Sequence, residues 1–330
     1  MLVRPFSMAD TNDIVIRMKA IQYNRYGGPD VLQYVDKATP KPSPDEALIS
    51  VRCASVIPGD WKVRSGALQE MFPLSFPTIP GRDGAGVVVA KGASCEWTEI
   101  GDALCFVTEH TEPGSNAEFV TRPRDMTVPK PANIDFAEAA AMMHAGVCAW
   151  IGLLETADLK SGENVLIHAG AGAIGGMAVQ IARHLGCHVT TTCSSRNADY
   201  VRGLGADNVL AYDQTDFAQD SRDQDIVFDL IGGDAHEKSC RVLSKGGRLV
   251  WLIAKPFEDV SAKYGIDCRQ ALIHDRRDTL EKVAALVSDG ILIPQVSHRL
   301  PLSEAVEAHR LLERGDNSRG RIILDLGEQN

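Results

Sequence analysis

Hydrophobic and polar positions follow two different patterns along this chain, and the pattern changes near residue 136. Before that point, short runs alternate between apolar and polar residues and are separated by closely spaced Gly and Pro. The predicted strands lie at residues 18–23, 31–35, 47–54, 86–90 and 103–108, and a turn is predicted at 57–62. Short strands joined by frequent turns predict a small, barrel-like β domain.

After residue 136 the chain alternates between strand and helix patterns. Two helices are predicted first, at 136–144 and 147–154. The predicted strands then lie at 165–168, 188–192, 208–212, 225–231 and 248–253, and the helices between them at 173–185, 198–204 and 235–243. A capping-box pattern from Asp278 to Glu281 predicts a helix through residue 287. The tail predicts a strand at 291–296, a helix at 303–312 and a strand at 321–326, and this pattern leaves open whether the tail rejoins the first domain. The alternation predicts a parallel sheet with helices on both faces.

A glycine-rich turn lies between the strand at 165–168 and the helix at 173–185. Its sequence, Gly170-Ala171-Gly172-Ala173-Ile174-Gly175, has the spacing G-x-G-x-x-G. In a dinucleotide site the first Gly permits the tight turn, the second lets a pyrophosphate approach, and the third lets helix pack on strand. The helix N-terminus presents free N–H groups to the phosphates. The six residues are therefore candidate cofactor-binding residues.

The end of the next strand indicates which dinucleotide is bound. An NAD site places an Asp or Glu about 20 residues after the glycines, where it accepts a hydrogen bond from the ribose. No acid occurs between Gly170 and Ala198, and the chain offers Ser194, Ser195 and Arg196 instead. Two hydroxyls and a guanidinium suit a 2′-phosphate, which favours NADPH. The alternative is an ordinary turn with a solvated arginine.

Composition excludes several classes of protein. The formal net charge of −10 over 330 residues argues against a nucleic-acid-binding or anionic-membrane surface. We find no apolar run long enough to span a bilayer. The eight cysteines form no C-x-x-C pair, which predicts a reducing, cytoplasmic location. Residues 1–17 lack the apolar core of a signal peptide and are predicted to be a loosely ordered extension.

Several ordered motifs together resemble the medium-chain dehydrogenase/reductase superfamily, and most closely its zinc-independent quinone oxidoreductase and alkenal-reductase branch. The motifs occupy residues 18–23, 27–32, 58–66, 80–87, 170–175, 193–197, 204–207 and 318–322. The resemblance implies an α/β fold in which a GroES-like catalytic domain (residues 18–145 and 291–330) is interrupted by a doubly wound Rossmann domain (residues 146–290). It also implies NADPH between the domains, a homodimer, and Tyr212 and Arg321 beside the cofactor. For Tyr212 the alternative is an aromatic residue that covers the sheet.

The same resemblance allows a metal site to be considered. The positions that match the catalytic zinc ligands of related alcohol dehydrogenases are Ile57, Arg82 and His144. An Ile side chain has no ligand atom and an Arg charge repels Zn²⁺, so we predict no metal. His144 is then predicted to line the substrate pocket with Ile57 and Trp61, the alternative being a buried histidine with its hydrogen bonds satisfied.

Without a metal, the acceptor must itself delocalise the charge that arrives with a hydride. Quinones and α,β-unsaturated carbonyls do so by conjugation, and the protein needs to position them and polarise one oxygen. Lys62 and Arg82 are the candidate catalytic residues, although either charge could simply be solvated, or Arg82 could pair with Asp83 or Asp60. The sequence therefore predicts an NADPH-dependent quinone or alkenal reductase. The alternatives are a zinc-type alcohol dehydrogenase and a non-enzymatic NADPH-binding scaffold or redox sensor.

Overall fold

The structure is a computed structural model that describes residues 17–252, 259–317 and 319–328. The predicted N-terminal extension therefore lies outside the described residues, except for Arg17, which begins the first strand. The strands are β1 (Arg17–Gln22), β2 (Gln33–Ala38), β3 (Ala47–Val56), β4 (Asp83–Lys91), β5 (Ala103–Val107), β6 (Phe119–Arg122), β7 (Thr127–Pro129), β8 (Asn164–Ile167), β9 (His188–Cys193), β10 (Asn208–Ala211), β11 (Gln224–Asp229), β12 (Leu243–Trp251), β13 (Asp267–Gln270), β14 (Val296–Pro301) and β15 (Arg321–Asp325). The α-helices are α1 (Pro58–Arg64), α2 (Phe136–Trp150), α3 (Ala173–His184), α4 (Ala198–Gly203), α5 (Phe217–Asp220), α6 (Asp234–Ser239), α7 (Ser261–Tyr264), α8 (Arg277–Ser288) and α9 (Ala305–Arg314).

One sheet contains strands from both ends of the chain. Its order is β14-β15-β3-β4-β5-β7, and β6 also pairs with β3. Strand β15 runs antiparallel to β3, with Ile322 opposite Val56. The tail therefore rejoins the first domain, which the sequence pattern had left open.

The second sheet is fully parallel, with the order β10-β9-β8-β11-β12-β13. Strand order reverses between β8 and β11, and ligands of open α/β sheets bind at the carboxyl ends of the strands at such a point. The predicted glycine turn leaves β8 at this place. The predicted fold class, a GroES-like domain with a Rossmann-type parallel-sheet domain, is confirmed.

Helix α2 packs against both sheets. All six of its alanines are buried, so the backbone can approach its neighbours closely. One apolar core contains Cys53 of β3 and Ala85 of β4 together with Val165 of β8 and Phe228 of β11. The helix continues as a π-helix over Ile151–Thr156. The two separate helices predicted at 136–144 and 147–154 are thus one continuous element.

That continuous helix, residues 136–156, passes a length and apolarity test for a membrane span. Its mean hydropathy is 1.4, but 78% of the tested window is buried inside the protein. A buried core helix passes the same test, so this helix is weak evidence for a membrane span. The sequence predicted no apolar run long enough to span a bilayer, whereas this helix is long and apolar enough by length and composition alone.

Other local predictions were wrong for identifiable reasons. Residues 57–62 form the start of α1 rather than a turn, because Pro58 occupies the first helical turn and the Asp60 carboxylate accepts the Ile57 N–H at 2.8 Å. Helix α8 begins at Arg277 after Arg276, and Asp278 lies in its first turn without acting as the cap. The tail strand lies at Val296–Pro301 and not at 291–296.

Candidate functional site

The glycine turn has the close contacts that its sequence predicts. A Cβ atom on Gly170 would overlap the Thr191 hydroxyl of β9, and one on Gly175 would overlap the Ala169 carbonyl oxygen. Gly172 precedes α3, and a Cβ there would meet only the Ala169 oxygen, at 3.3 Å. Two glycines are thus required by packing, whereas Gly172 leaves its outer side open to a ligand.

The residues between these glycines pack inward. Ala171 is buried, and Ala173 and Ile174 are half-buried against the shared core. Their side chains therefore support the turn, and any contact with a cofactor would come from its backbone and from the N-terminus of α3.

The C-terminal segment reaches the same turn. The Gly320 N–H donates to the Ala171 carbonyl at 3.1 Å. The next residue, Arg321, is only 3% exposed, and its Nε and Nη2 atoms have no hydrogen-bond partner among the described residues. A buried arginine with unused donors, in the segment whose backbone contacts the glycine turn, fits an anionic ligand such as a pyrophosphate.

An acid that the sequence did not reveal contacts the segment that follows β9. Ser195 donates to the Asp213 carboxylate from its backbone N–H at 2.8 Å and from its hydroxyl at 2.7 Å. These hydrogen bonds lower the pKa of the exposed Asp213. Asp213 follows β10, so a search confined to the end of the second strand could not find it. Next to it, the side chain of Tyr212 is 64% exposed.

A second arginine also lies at this end of the sheet. Arg319 donates from Nε to the Asn197 amide oxygen at 2.9 Å and from Nη2 to the Arg196 carbonyl at 3.3 Å. Its guanidinium also lies 5.0 Å from the centre of the Tyr200 ring. Arg196 itself is exposed, beside the half-buried Ser194 and Ser195. The predicted phosphate-binding residues are thus brought together, with Arg319 added from the C-terminal segment.

On the catalytic-domain side, a carboxylate fixes α2 to β4. Asp83 accepts from the His144 backbone N–H at 3.0 Å and from the Ser55 hydroxyl. Ala141, one turn before His144, lines a small cavity together with Gly172 and Ala173. His144 therefore lies one helical turn along α2 from a residue that shares this cavity with the start of α3.

Arg82 is held by several partners rather than pointing freely into the site. Its terminal nitrogens donate to the Thr108 carbonyl, to Glu109 at 3.2 Å and to Asp275, whose side chain is fully buried. Its Nε has no partner among the described residues. The pairing with Asp83 or Asp60 that the sequence suggested is replaced by a pairing with Asp275, 193 residues along the chain.

Two histidines, His144 and His110, lie near Arg82 and Asp275. The His144 Nδ1 atom lies 3.9 Å from the Asp275 carboxylate, and its Nε2 lies 3.6 Å from Cys148 Sγ. Burial alone lowers the pKa of His144, but Cys148 and Asp275 raise it to about 10. Burial, together with the charges of Arg82 and His144, lowers the pKa of His110 to about 3.

The first helix brings one further acid to the site. Asp60 is 3% exposed, and burial followed by the nearby Asp83 raises its pKa to about 7, although Arg321 and His144 act in the opposite direction. Ile57 is buried beside it. Trp61 packs on the core of the N-terminal domain, and Lys62 lies half-buried with its Nζ 5.8 Å from the Trp61 ring centre. The roles assigned to Lys62, Trp61 and Ile57 remain predictions.

The residues at the position of the catalytic zinc in related dehydrogenases do not fit a metal. Ile57 offers no donor atom, and the Arg82 guanidinium is paired with Asp275. Among the described residues, no group of three or more His, Cys, Asp or Glu side chains could hold an ion.

Comparisons with known proteins agree with this architecture. Residues 43–132 match the alcohol dehydrogenase GroES-like domain family and residues 204–324 match the zinc-binding dehydrogenase family. The chain is 34% identical to a chloroplastic quinone-oxidoreductase homolog of Spinacia oleracea, over 93% of this chain and 98% of the relative. It is 32% identical to a chloroplastic NADPH-dependent alkenal/one oxidoreductase of Arabidopsis thaliana, over 93% of this chain and 79% of the relative. The solved quinone oxidoreductase of Coxiella burnetii is 33% identical, with a TM-score of 0.87, and the match covers 94% of this chain and 100% of that one.

The comparisons also correct the predicted location. These two curated relatives are described as chloroplastic, which contradicts the cytoplasmic location inferred from the cysteines. Cysteine usage reports only a reducing compartment, and it cannot distinguish one such compartment from another.

Proposed function

The chain belongs to the medium-chain dehydrogenase/reductase superfamily, among its quinone oxidoreductases and alkenal reductases, and from this premise we propose that it is an NADPH-dependent, metal-independent reductase of quinones or α,β-unsaturated carbonyls. Membership makes the chain an oxidoreductase that uses a nicotinamide cofactor and small-molecule substrates. The cofactor, when bound, supplies a hydride. The observation that carries the proposal is the buried Arg321 with its unpartnered donors beside the glycine turn.

The residues present fit such a cofactor. The open side of Gly172 and the N-terminus of α3 would receive the pyrophosphate, and Arg321 would complete its charge neutralisation from the opposite domain. Tyr212, Ser194 and Arg196 would hold the adenosine end. This arrangement would tie both domains to one ligand and exclude water from the space between them.

The preference for NADPH depends on the balance of charges around Ser195. In the protein without cofactor, Asp213 accepts the two Ser195 hydrogen bonds that a 2′-phosphate would need. Arg196 and Arg319 supply the opposing positive charge. We propose that the phosphate takes the place of the Asp213 carboxylate on Ser195, with Arg196 compensating for the negative charge that remains nearby.

Two variants of opposite charge test this preference. Arg196→Glu should raise the KM for NADPH about tenfold or more and change the KM for NADH little, because only the phosphate meets that guanidinium. Asp213→Asn should lower or preserve the KM for NADPH. Arg241→Glu, at an exposed ion pair with Glu237 on α6, is the matched control. Equal effects on both cofactors would refute the phosphate role.

The metal-independent part of the proposal rests on the chemistry of the donors. Arg82 would repel Zn²⁺, and a conjugated acceptor delocalises the charge that arrives with a hydride. Enzyme stripped with a chelator should therefore retain its rate of quinone and enal reduction. Loss of activity that stoichiometric zinc restores would instead support a zinc-type alcohol dehydrogenase, and tight NADPH binding with no turnover of either acceptor class would support a non-enzymatic scaffold.

We further propose that the protein is a homodimer with domains bounded near residues 146 and 290. Among the described strands, β13 pairs only with β12, and Leu272 just beyond it is 70% exposed. An open sheet edge with an adjacent apolar side chain is suited to pairing with a second copy. Leu272→Lys should shift the mass in solution from dimer to monomer, and a monomeric wild-type protein would refute the proposal.

A further inference from the structure

His144 and Asp275 form a couple that the reaction described so far does not use. We infer that His144, oriented by Asp275, donates the proton that an acceptor requires after it has received a hydride. This inference rests on the proposed function, because it assumes an acceptor between the domains. It concerns two residues that come together only in the fold, from α2 and from the loop before α8.

The geometry of the couple supports a donor role. His144 Nδ1 and Asp275 Oδ1 are 3.9 Å apart, both are buried, and neither has a hydrogen-bond partner among the described residues. The Asp275 side chain is fully buried, whereas 14% of the His144 side chain is exposed. The carboxylate therefore faces the Nδ1 edge of the ring. The Nε2 atom lies 3.6 Å from Cys148 Sγ, a weak hydrogen-bond contact that an acceptor would have to replace.

The competing donors are less suitable. The terminal nitrogens of Arg82 are already bound to Thr108, Glu109 and Asp275. An arginine also does not give up its proton, since its pKa exceeds 12 in water. Its charge instead fixes Asp275, and Asp275 in turn can fix the imidazole.

The electrostatic surroundings of His144 come from its own helix and from four other parts of the chain. Facing it are Cys148 on its own helix, Asp275 and Arg82, His110 from the loop after β5, and the acids Asp60 and Asp83. Cys148 and Asp275 favour the imidazolium, whereas burial and Arg82 oppose it. The net effect is to raise the pKa of His144, which favours the protonated ring that an acid requires.

The proposed step balances in atoms and charge. The acceptor gains a hydride, and with it two electrons, from the reduced cofactor and becomes an enolate or a hydroquinone anion. The His144 Nε2–H bond breaks, and a new O–H or C–H bond forms on the acceptor. The neutral imidazole is then reprotonated from solvent, with Asp275 stabilising the returning positive charge.

Steady-state kinetics provide the first test. His144→Gln should lower kcat for enone reduction about 100-fold and change KM little, which is the range expected for loss of a general acid. The solvent isotope effect on kcat should increase in the variant, because proton transfer becomes slower than hydride transfer. His184→Gln, at an exposed position near the end of α3, is the control and should behave as wild type.

A second measurement does not depend on turnover. Long-range ¹H–¹⁵N spectra of the cofactor-free protein report the protonation of each imidazole, and the signals absent from His144→Gln assign His144. We expect a doubly protonated ring from pH 6 to 8. In Asp275→Asn the same ring should lose its proton at lower pH, because the carboxylate that stabilises its charge is gone.

The outcomes separate this inference from the proposed function. A wild-type protein that reduces neither a quinone nor an enone refutes the proposed function and this inference with it. An active wild type whose His144→Gln variant retains kcat refutes the inference alone. A His144 ring that is neutral at pH 7 also refutes it, even if the variant does not fold.

Discussion

Replacing Arg321 with Gln should separate cofactor binding from folding. The side chain is 3% exposed, and its Nε and Nη2 donors have no partner among the described residues. Glutamine removes the charge and shortens the side chain while leaving the backbone hydrogen bond from the Arg321 N–H to the Gln295 carbonyl in place. The comparison variant is Arg299→Gln on the neighbouring β14, where the arginine is exposed and paired with Asp135.

The size of the effect follows from the two unused donors. A hydrogen bond to a charged group contributes roughly 1.5–3 kcal/mol, so two of them contribute about 3–6 kcal/mol to cofactor binding. At 1.4 kcal/mol for each factor of ten, the Kd for NADPH should rise about 10²- to 10⁴-fold. In the cofactor-free protein, the same substitution should not weaken the fold. An unsatisfied buried donor costs about 1–3 kcal/mol, so its removal should leave the Tm unchanged or raise it.

Isothermal titration with NADPH and thermal melting of the cofactor-free protein measure the two effects on the same samples. Arg299→Gln should leave the Kd unchanged. A Kd for Arg321→Gln within about threefold of wild type would show that no ligand uses these donors. A large fall in Tm with an unchanged Kd would assign Arg321 to folding alone.

Three further predictions concern the turn and two buried charges. Gly172→Ala should fold like wild type but bind cofactor more weakly, whereas Gly175→Ala should lower the Tm, because its Cβ would overlap a backbone carbonyl; equal melting of the two would contradict this assignment. Burial raises the pKa of Asp60 from 3.8 to about 7. The stability that the protonated Asp60 contributes is therefore fully present below pH 3.8 and is lost as the pH rises through 7. At 1.36 kcal/mol per pKa unit, the unfolding free energy should fall by roughly 4 kcal/mol over this range. Asp60→Asn should flatten that pH dependence in urea titrations between pH 4 and 8, and an unchanged slope would count against it. Glu313→Gln removes the carboxylate paired with the buried Arg64 and should cost about 3 kcal/mol of unfolding free energy by denaturant titration, and a neutral effect would show that the pair is unimportant.

The sequence predicted those parts of the protein whose cause is local. The turn at Gly170–Gly175 follows from steric limits within a strand, a turn and a helix, and the structure contains all three. The signal for α1 was also local, since Pro58 and Asp60 are helix-start residues, although we interpreted them as a turn. The helix-capping rules were sufficient to predict α1, and the wrong prediction came from not applying them to these two residues.

Contacts between distant segments could not be predicted in the same way. Asp213 meets Ser195 because β10 lies beside β9, and the position of an acid along the chain does not show which strand end it will share. Asp275 reaches Arg82 across 193 residues. The partner of a buried charge depends on the final packing, and the sequence suggested Asp83 or Asp60 as the partner of Arg82 instead of Asp275.

Helix α2 limits where domains can be exchanged between this protein and its relatives. The proposed boundary at residues 145 and 146 falls inside that helix, and its buried alanines contribute to a core that draws on both sheets. A Cβ atom on Gly146 would overlap Val283 of α8, so even one added methyl group disturbs the fit. In a chimera joined at that point, half of α2 would come from one protein and would pack against side chains that fit the α2 of the other. Exchange of cofactor domains should succeed only when residues 136–156 are transferred whole, together with the residues that pack against them.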